Sequence, residues 1–279
     1  MDMIRQVDIK PGSLLMVTAD LTRLALLTRR KEGEFNIDLF IDSLKQCLGK
    51  GGTLIVPSFN FNLKNDEYYN PAKSLPITGA LAVAALKRPD FTRTKNPLHS
   101  FLVWGKHAGT LAALDNKSSF SAESPFAFMK EHHAKMLLID TTISAAFTFV
   151  HHVEEMEKVS YRKFRTIGIY LDQNSEKPVK KEYLLYAKKP GWTMDLTGLE
   201  RMLTEQQIAK KMLINQVTFT LVDLHQAYPI IKNDINRNKS KYIARFSREL
   251  YLREKAKSIL AAIGIQTLAD KISHDPGLL

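Results

Sequence analysis

Three short, almost wholly apolar runs, Ser13–Thr18 (SLLMVT), Thr53–Pro57 (TLIVP) and Lys135–Ile139 (KMLLI), recur between stretches of helical spacing. This alternation restricts the fold more than any other feature of the chain. Short apolar runs without polar alternation suit strands covered on both faces. A helical stretch is expected from Leu21. Asn36 is placed to cap a helix whose apolar face is Ile37, Phe40, Ile41, Leu44 and Leu48, and Gly49 with the Gly51-Gly52 pair stops it. Further helices are predicted over Thr78–Lys87 and Ala145–Lys158, and a strand over Phe101–Trp104. The β-then-α rhythm predicts an α/β fold, a layered, largely buried sheet flanked by helices.

The second half is less regular. Thr166–Tyr170 and Glu182–Ala187 are predicted strands of a hairpin across the polar Asp172–Lys181 loop. Gln216–Leu221 follows as a strand, with a helix over Val222–Ile231. Lys239–Ile263 is the longest helical pattern, carrying Ile243, Phe246, Leu250, Ala256, Leu260 and Ile263 on its apolar positions. No internal repeat or linker divides the chain, so residues 1–279 are read as one domain.

The chain carries 40 Lys+Arg against 29 Asp+Glu, a formal charge of +11, and this excess favours an anionic partner. It is concentrated in residues 158–189 and 232–257, each with nine basic residues against three acidic. No zinc finger, aromatic RNA-binding stripe or basic recognition helix accompanies it, so phosphorylated small molecules are expected rather than nucleic acid. A plain solubilising surface is the alternative. Cys47, the single cysteine, excludes an internal disulfide or a Cys-based zinc site. No apolar run approaches the length of a membrane span, and the first residues lack a signal-peptide core, so a soluble cytoplasmic protein is expected. Walker A, GxGxxG and GxSxG motifs are absent from the sequence.

Chemistry concentrates in Phe147–Lys158, FTFVHHVEEMEK. On a helix His151 shares a face with Glu154 and with Glu155, and His152 with Glu155. A carboxylate beside an imidazole fixes its tautomer and raises its basicity, as a general base requires. Such pairs also occur as ordinary surface ion pairs, so the residues alone leave both readings open. Adjacent histidines diverge by about 100° on a helix and cannot chelate one ion, so no metal is expected.

Five segments occur in register: Gly52–Phe59 (GTLIVPSF); Arg93–Ser100 (RTKNPLHS) with Gly105 behind it; Ser124-Pro125-Phe126; KMLLID from Lys135; and His151-x-x-Glu154. Together, over roughly residues 10–230, they resemble the aminoglycoside 3-N-acetyltransferase family. The resemblance implies that family's mixed α/β sheet. It also implies direct transfer of an acyl group from coenzyme A to the amine of a sugar, with acyl-CoA as cosubstrate and no permanently bound cofactor. His151 then matches the family's base and Glu154 its orienting acid, with His152 and Glu155 taking those roles if the register is one residue off. Thr18, Pro57, Ser58, Phe59, His99 and Ser100 fall where coenzyme contacts are expected.

The sequence departs from the family pattern twice. Asn96 stands where the family has a histidine before proline. Thr18-Ala19-Asp20 replaces a His-Ser-Ser turn, and Asp20 would repel the coenzyme pyrophosphate unless it caps the following helix. Cys47 lies at a helix C-terminus, where the dipole raises a thiol pKa, which disfavours an acyl-cysteine route. For the acceptor, the basic charge favours a nucleotide-linked amino sugar over an aminoglycoside. Asn96, Tyr161, Arg162 and Arg165 are then candidate substrate contacts, with Tyr161 stacking on a base or sugar and Arg162, Lys163 and Arg165 near phosphate. A non-catalytic basic binding protein is a further alternative.

Overall fold

A computed structural model describes residues 3–172 and 177–262. Its first half follows the apolar runs. Strand β1 (Leu14–Ala19) leads into α1 (Thr22–Glu32) and α2 (Ile37–Leu48), and β2 (Thr53–Phe59) returns parallel to β1. The Asn36 side chain accepts from the Leu39 N–H at 3.0 Å, which supplies the expected cap of α2. Next come β3 (Tyr68–Tyr69), α3 (Ala80–Leu86), β4 (Thr92–Arg93), β5 (His99–Gly105) and α4 (Ala108–Ala113). Helix α5 (Pro125–Glu131) has Ser124 as N-cap and Pro125 in its first turn. Strand β6 (Lys135–Ile139) has the predicted bounds.

The helix predicted over Ala145–Lys158 is two helices, α6 (Ile143–Ala146) and α7 (Val150–Met156). Between them Phe147 adopts φ −82°, ψ 65°, outside the helical region, so the ladder restarts and His151 falls in the first turn of α7. The hairpin is longer than predicted, β7 (Arg162–Leu171) against β8 (Val179–Lys188); Gln173–Glu176 in its loop lie outside the described residues. Strand β9 (Trp192–Met194), α8 (Thr197–Glu205), β10 (Ala209–Ile214), β11 (Val217–Asp223) and α9 (Leu224–Asn238) follow.

The long helix expected over Lys239–Ile263 does not start there. Lys239 and Ser240 both have φ near +60°, which ends α9 and turns the chain into β12 (Ala244–Phe246) before α10 (Arg248–Ala262). Ile243 is buried in the core from this non-helical segment, Phe246 is exposed, and Ile263 lies outside the described residues.

The main sheet has the order β10-β11-β6-β1-β2-β5-β4. Its centre, β6-β1-β2, is parallel and its flanks are antiparallel, so the sheet is mixed. Each central strand buries both faces. Leu14, Met16, Met136 and Leu138 face the cluster under α5, α7, α8 and α9, while Leu15, Val17, Leu137 and Ile139 face the cluster under α2 and α3. Two-sided burial is why these strands read as unbroken apolar runs. A three-stranded sheet, β3-β7-β8, and the ribbon β9-β12 stand beside the main sheet. Ligands of open α/β sheets bind beyond the carboxyl ends of the parallel strands, and β2 ends at Phe59 while β6 feeds α6 and α7 at that edge. Among the described residues no helix is long and apolar enough to cross a membrane.

Candidate active site

His151 and Glu154 lie one turn apart on α7, and their side chains meet, with Nδ1 2.6 Å from Oε2. Glu154 is fully buried, whereas the His151 side chain keeps 24% of its exposure. The carboxylate has two further partners. Arg162, the first residue of β7, places Nε 2.7 Å from Oε2, and the Tyr161 hydroxyl donates to Oε1 at 2.8 Å. The Arg162 Nε contact lies off the N–H axis and acts as an ion pair rather than an aligned hydrogen bond. Burial alone would push the Glu154 pKa up, but the charges and hydrogen bonds of His151, Arg162 and Tyr161 hold it below the ordinary carboxylate value.

Burial and the Arg162 charge hold the His151 pKa below that of a free histidine, against the pull of Glu154, so the imidazole is neutral at neutral pH. Its tautomer follows from geometry. Two acceptors cannot sit 2.6 Å apart without a proton between them, so Nδ1–H donates to Glu154. An Nη of Arg162 also lies 2.9 Å from Nδ1, but that nitrogen has no second lone pair to accept with. The free lone pair of His151 is therefore on Nε2.

His151 and Thr148 are common to two cavities. One, of about 340 Å³, has an aromatic wall of Phe59, Phe61, His99 and Phe120, with Arg162 and the β8 segment Leu185–Lys188 opposite. The other, of about 220 Å³, is lined by Ser144–Thr148, Val150, Met194 and Leu196. A base that lines two cavities is suited to moving a proton between two bound molecules.

The alternative register is not assembled. His152 is buried with Nδ1 2.8 Å from the Phe120 carbonyl, and Glu155 accepts from the Ser118 hydroxyl at 2.7 Å. Burial also pushes the Glu155 pKa up, the opposite of Glu154.

The remaining sequence candidates divide. Phe59 and His99 line the larger cavity. His99 is buried, its Nδ1 2.9 Å from Ser119 Oγ, and burial beside His151 and Arg162 draws its pKa down to about 3. Pro57, Ser58 and Ser100 lie buried behind that wall, where Ser100 Oγ donates to the Ser58 carbonyl and accepts from Arg93 Nε. Their expected coenzyme contacts are corrected to a supporting role.

Asn96 is 1% exposed; its amide donates to the Asn116 carbonyl and its oxygen accepts from the Leu98 N–H, so it shapes a turn rather than meeting a ligand. Tyr161 is buried and stacked on Trp192 at 5.0 Å, so it has no free face for a base or sugar. Arg162 borders the larger cavity, but its charge is already paired with Glu154. Arg165 and Lys163 are exposed on β7 and line neither cavity. Thr18, the residue before the last in β1, has its hydroxyl buried and, among the described residues, unpartnered, also away from both cavities. Asp20 accepts from the Thr22 N–H at 2.9 Å, turning its carboxylate onto the start of α1, where a phosphate would otherwise bind.

Phe61, Phe120, Thr148 and Leu185–Lys188 were not candidates. They come from loops and a hairpin, where periodicity carries no information about a shared wall. Cys47 packs against the cluster on the other face of the sheet from α7, and burial pushes its thiol pKa up. Among the described residues no group of three or more His, Cys, Asp or Glu is placed to hold a metal ion.

Comparison with known proteins agrees with the sequence resemblance. The aminoglycoside 3-N-acetyltransferase family profile matches residues 16–234. Aminoglycoside N(3)-acetyltransferase IV of Salmonella sp. is 29% identical over 180 residues, an alignment spanning 63% of this chain and 64% of that enzyme. A histidine-to-alanine mutant of aminoglycoside acetyltransferase AAC(3)-IVa, solved in complex with a gentamicin, superposes with a TM-score of 0.67 at 25% identity, covering 85% of this chain and 86% of that one. AAC-IIIb, solved as a binary complex with CoASH, shares the fold with a TM-score of 0.71 at 18% identity, covering 84% and 94%. The chain belongs to the aminoglycoside 3-N-acetyltransferase family.

Proposed function

We propose that this protein is an acyl-CoA-dependent N-acyltransferase that moves an acetyl or longer acyl group from coenzyme A directly to an amine of an amino sugar. The observation that carries the reading is the His151–Glu154 contact at 2.6 Å, set where two cavities meet. A thioester is already activated, so the protein's work is to align the amine and remove its proton. His151 Nε2 takes a proton from the amine as its nitrogen bonds to the thioester carbonyl carbon. Glu154 stabilises the imidazolium that forms. The carbon–sulfur bond then breaks, and the same proton returns to the departing thiolate. General-base help of this kind is worth roughly 10²–10⁴-fold. Such a reaction suits the cytoplasm, where acyl-CoA is made.

The relatives support an aminoglycoside as acceptor, since family members are solved with a gentamicin and with apramycin bound. A nucleotide-linked amino sugar, such as a dTDP-3-amino-3,6-dideoxyhexose, is the second reading, and one observation favours it. Among the described residues, those lining the larger cavity include no carboxylate but do include Lys188, whose charge, unlike that of Arg162, is not paired with Glu154. A polycation gains little from such a wall, whereas a diphosphate is attracted by it. Free thiol released from acetyl-CoA, measured with gentamicin, apramycin and a dTDP-amino sugar in parallel, tests both. Release with either antibiotic supports the first acceptor, and release with the sugar nucleotide alone supports the second. Release with none of them contradicts the proposed activity.

A further inference from the structure

The buried carboxylate of Glu154 has to be turned correctly to serve His151, and its own side chain does not ensure this. The terminal torsion of a glutamate is broad and two-fold. Arg162 favours a different arrangement, because a guanidinium pairs most strongly with both oxygens of a carboxylate at once. Here Oε2 alone meets His151 and Arg162, and among the described residues Oε1 receives only the Tyr161 hydroxyl.

We propose that Tyr161 is a positioning residue: its phenol, by donating to Glu154 Oε1, keeps the carboxylate from rotating onto the Arg162 fork and so holds Oε2 on His151 Nδ1. Burial and the neighbouring Glu154 charge raise the phenol pKa, so the hydroxyl keeps its proton to donate. The ring is fixed in turn. It stacks on Trp192 at 5.0 Å, and Trp192 meets Phe246 edge-on at 5.5 Å across the β9–β12 ribbon. Trp192 lies within the family match, whereas β12, which carries Phe246, lies beyond residue 234 where that match ends, so the outer part of this buttress comes from a part of the chain that the family profile does not describe.

The kinetic side of this inference rests on the reading of His151 as the base, whereas the hydrogen-bonding side does not. The test is therefore read first by nitrogen NMR of the His151 ring. In the wild type the Nδ1–H tautomer is expected. In Tyr161→Phe, which keeps the ring and its stack, the fixed tautomer is lost and the Nε2–H form becomes populated. A wild-type ring in the Nε2–H form, or a Tyr161→Phe ring still locked as Nδ1–H, overturns the proposal whether or not turnover is found. Where turnover is present, kcat of Tyr161→Phe falls roughly ten- to a hundredfold, as loss of a hydrogen bond to a charged group implies, with KM for acetyl-CoA unchanged. The same change made in a Glu154→Gln background has no further effect, since the carboxylate it positions is gone. Full additivity of the two losses would overturn the proposal. A wild type that releases no thiol contradicts the proposed function and leaves the tautomer result to decide on Tyr161.

Discussion

His99 shows what a buried ionisable group does to this molecule. Its pKa falls from about 6.5 in an unfolded chain to about 3 in the fold, because the ring is enclosed by Phe59, Phe61 and Phe120 near Arg162. Between those two pH values the unfolded state binds a proton that the native state does not, so the folded form loses stability as pH falls through that window. His151 and His152, also depressed, act in the same direction. Thermal denaturation from pH 7 to pH 4 should show the Tm falling, with a shallower fall in His99→Phe. A His99→Phe slope equal to that of the wild type would mean the ring is already protonated in the native state. Glu154 acts in the same direction at lower pH, since its pKa is held below that of the unfolded chain by His151 and Arg162, and the unfolded carboxylate takes up a proton that the native one does not.

Helix α2 is an element whose construction the sequence announces, with Asn36 before it, its apolar face on the sheet and Gly49 after it. Replacing Asn36 by Ala removes the bond to the Leu39 N–H and should cost about 1 kcal/mol of stability, measured by urea denaturation. An unchanged midpoint would show that the cap contributes nothing. Strands β2 and β6 were legible for a related reason, since burial on both faces leaves an apolar run that nothing else explains. The breaks were not legible. Phe147 leaves the helical region, and Lys239 takes a left-handed backbone, without any glycine or proline to mark either place. Helix α5 carries both start signals, the Ser124 cap and Pro125 in its first turn, but its seven residues are too few for a clear helical period.

The candidate site was legible in the same uneven way. The His151–Glu154 spacing lies within one helical turn and could be read directly. Tyr161 and Arg162 reach Glu154 only because the chain turns back from α7 into β7, and Phe120 reaches His151 from a loop. Contacts of that kind depend on how elements dock, which a local pattern does not record.

At the scale of the whole molecule, two cavities on one edge of a mixed sheet share a neutral histidine, and a net charge of +11 surrounds them. The charge fits an anionic coenzyme, but it does not select the acceptor, because local potential governs binding. The central claim is that the His151 imidazole takes the proton from an acceptor amine during acyl transfer. Its most direct test is thiol release from acetyl-CoA by the wild type and by His151→Ala, with and without the amine, alongside the Tm of both proteins. The account predicts amine-dependent release by the wild type and a loss of about a hundredfold or more in a His151→Ala protein that remains folded. Near-normal release by folded His151→Ala would contradict it.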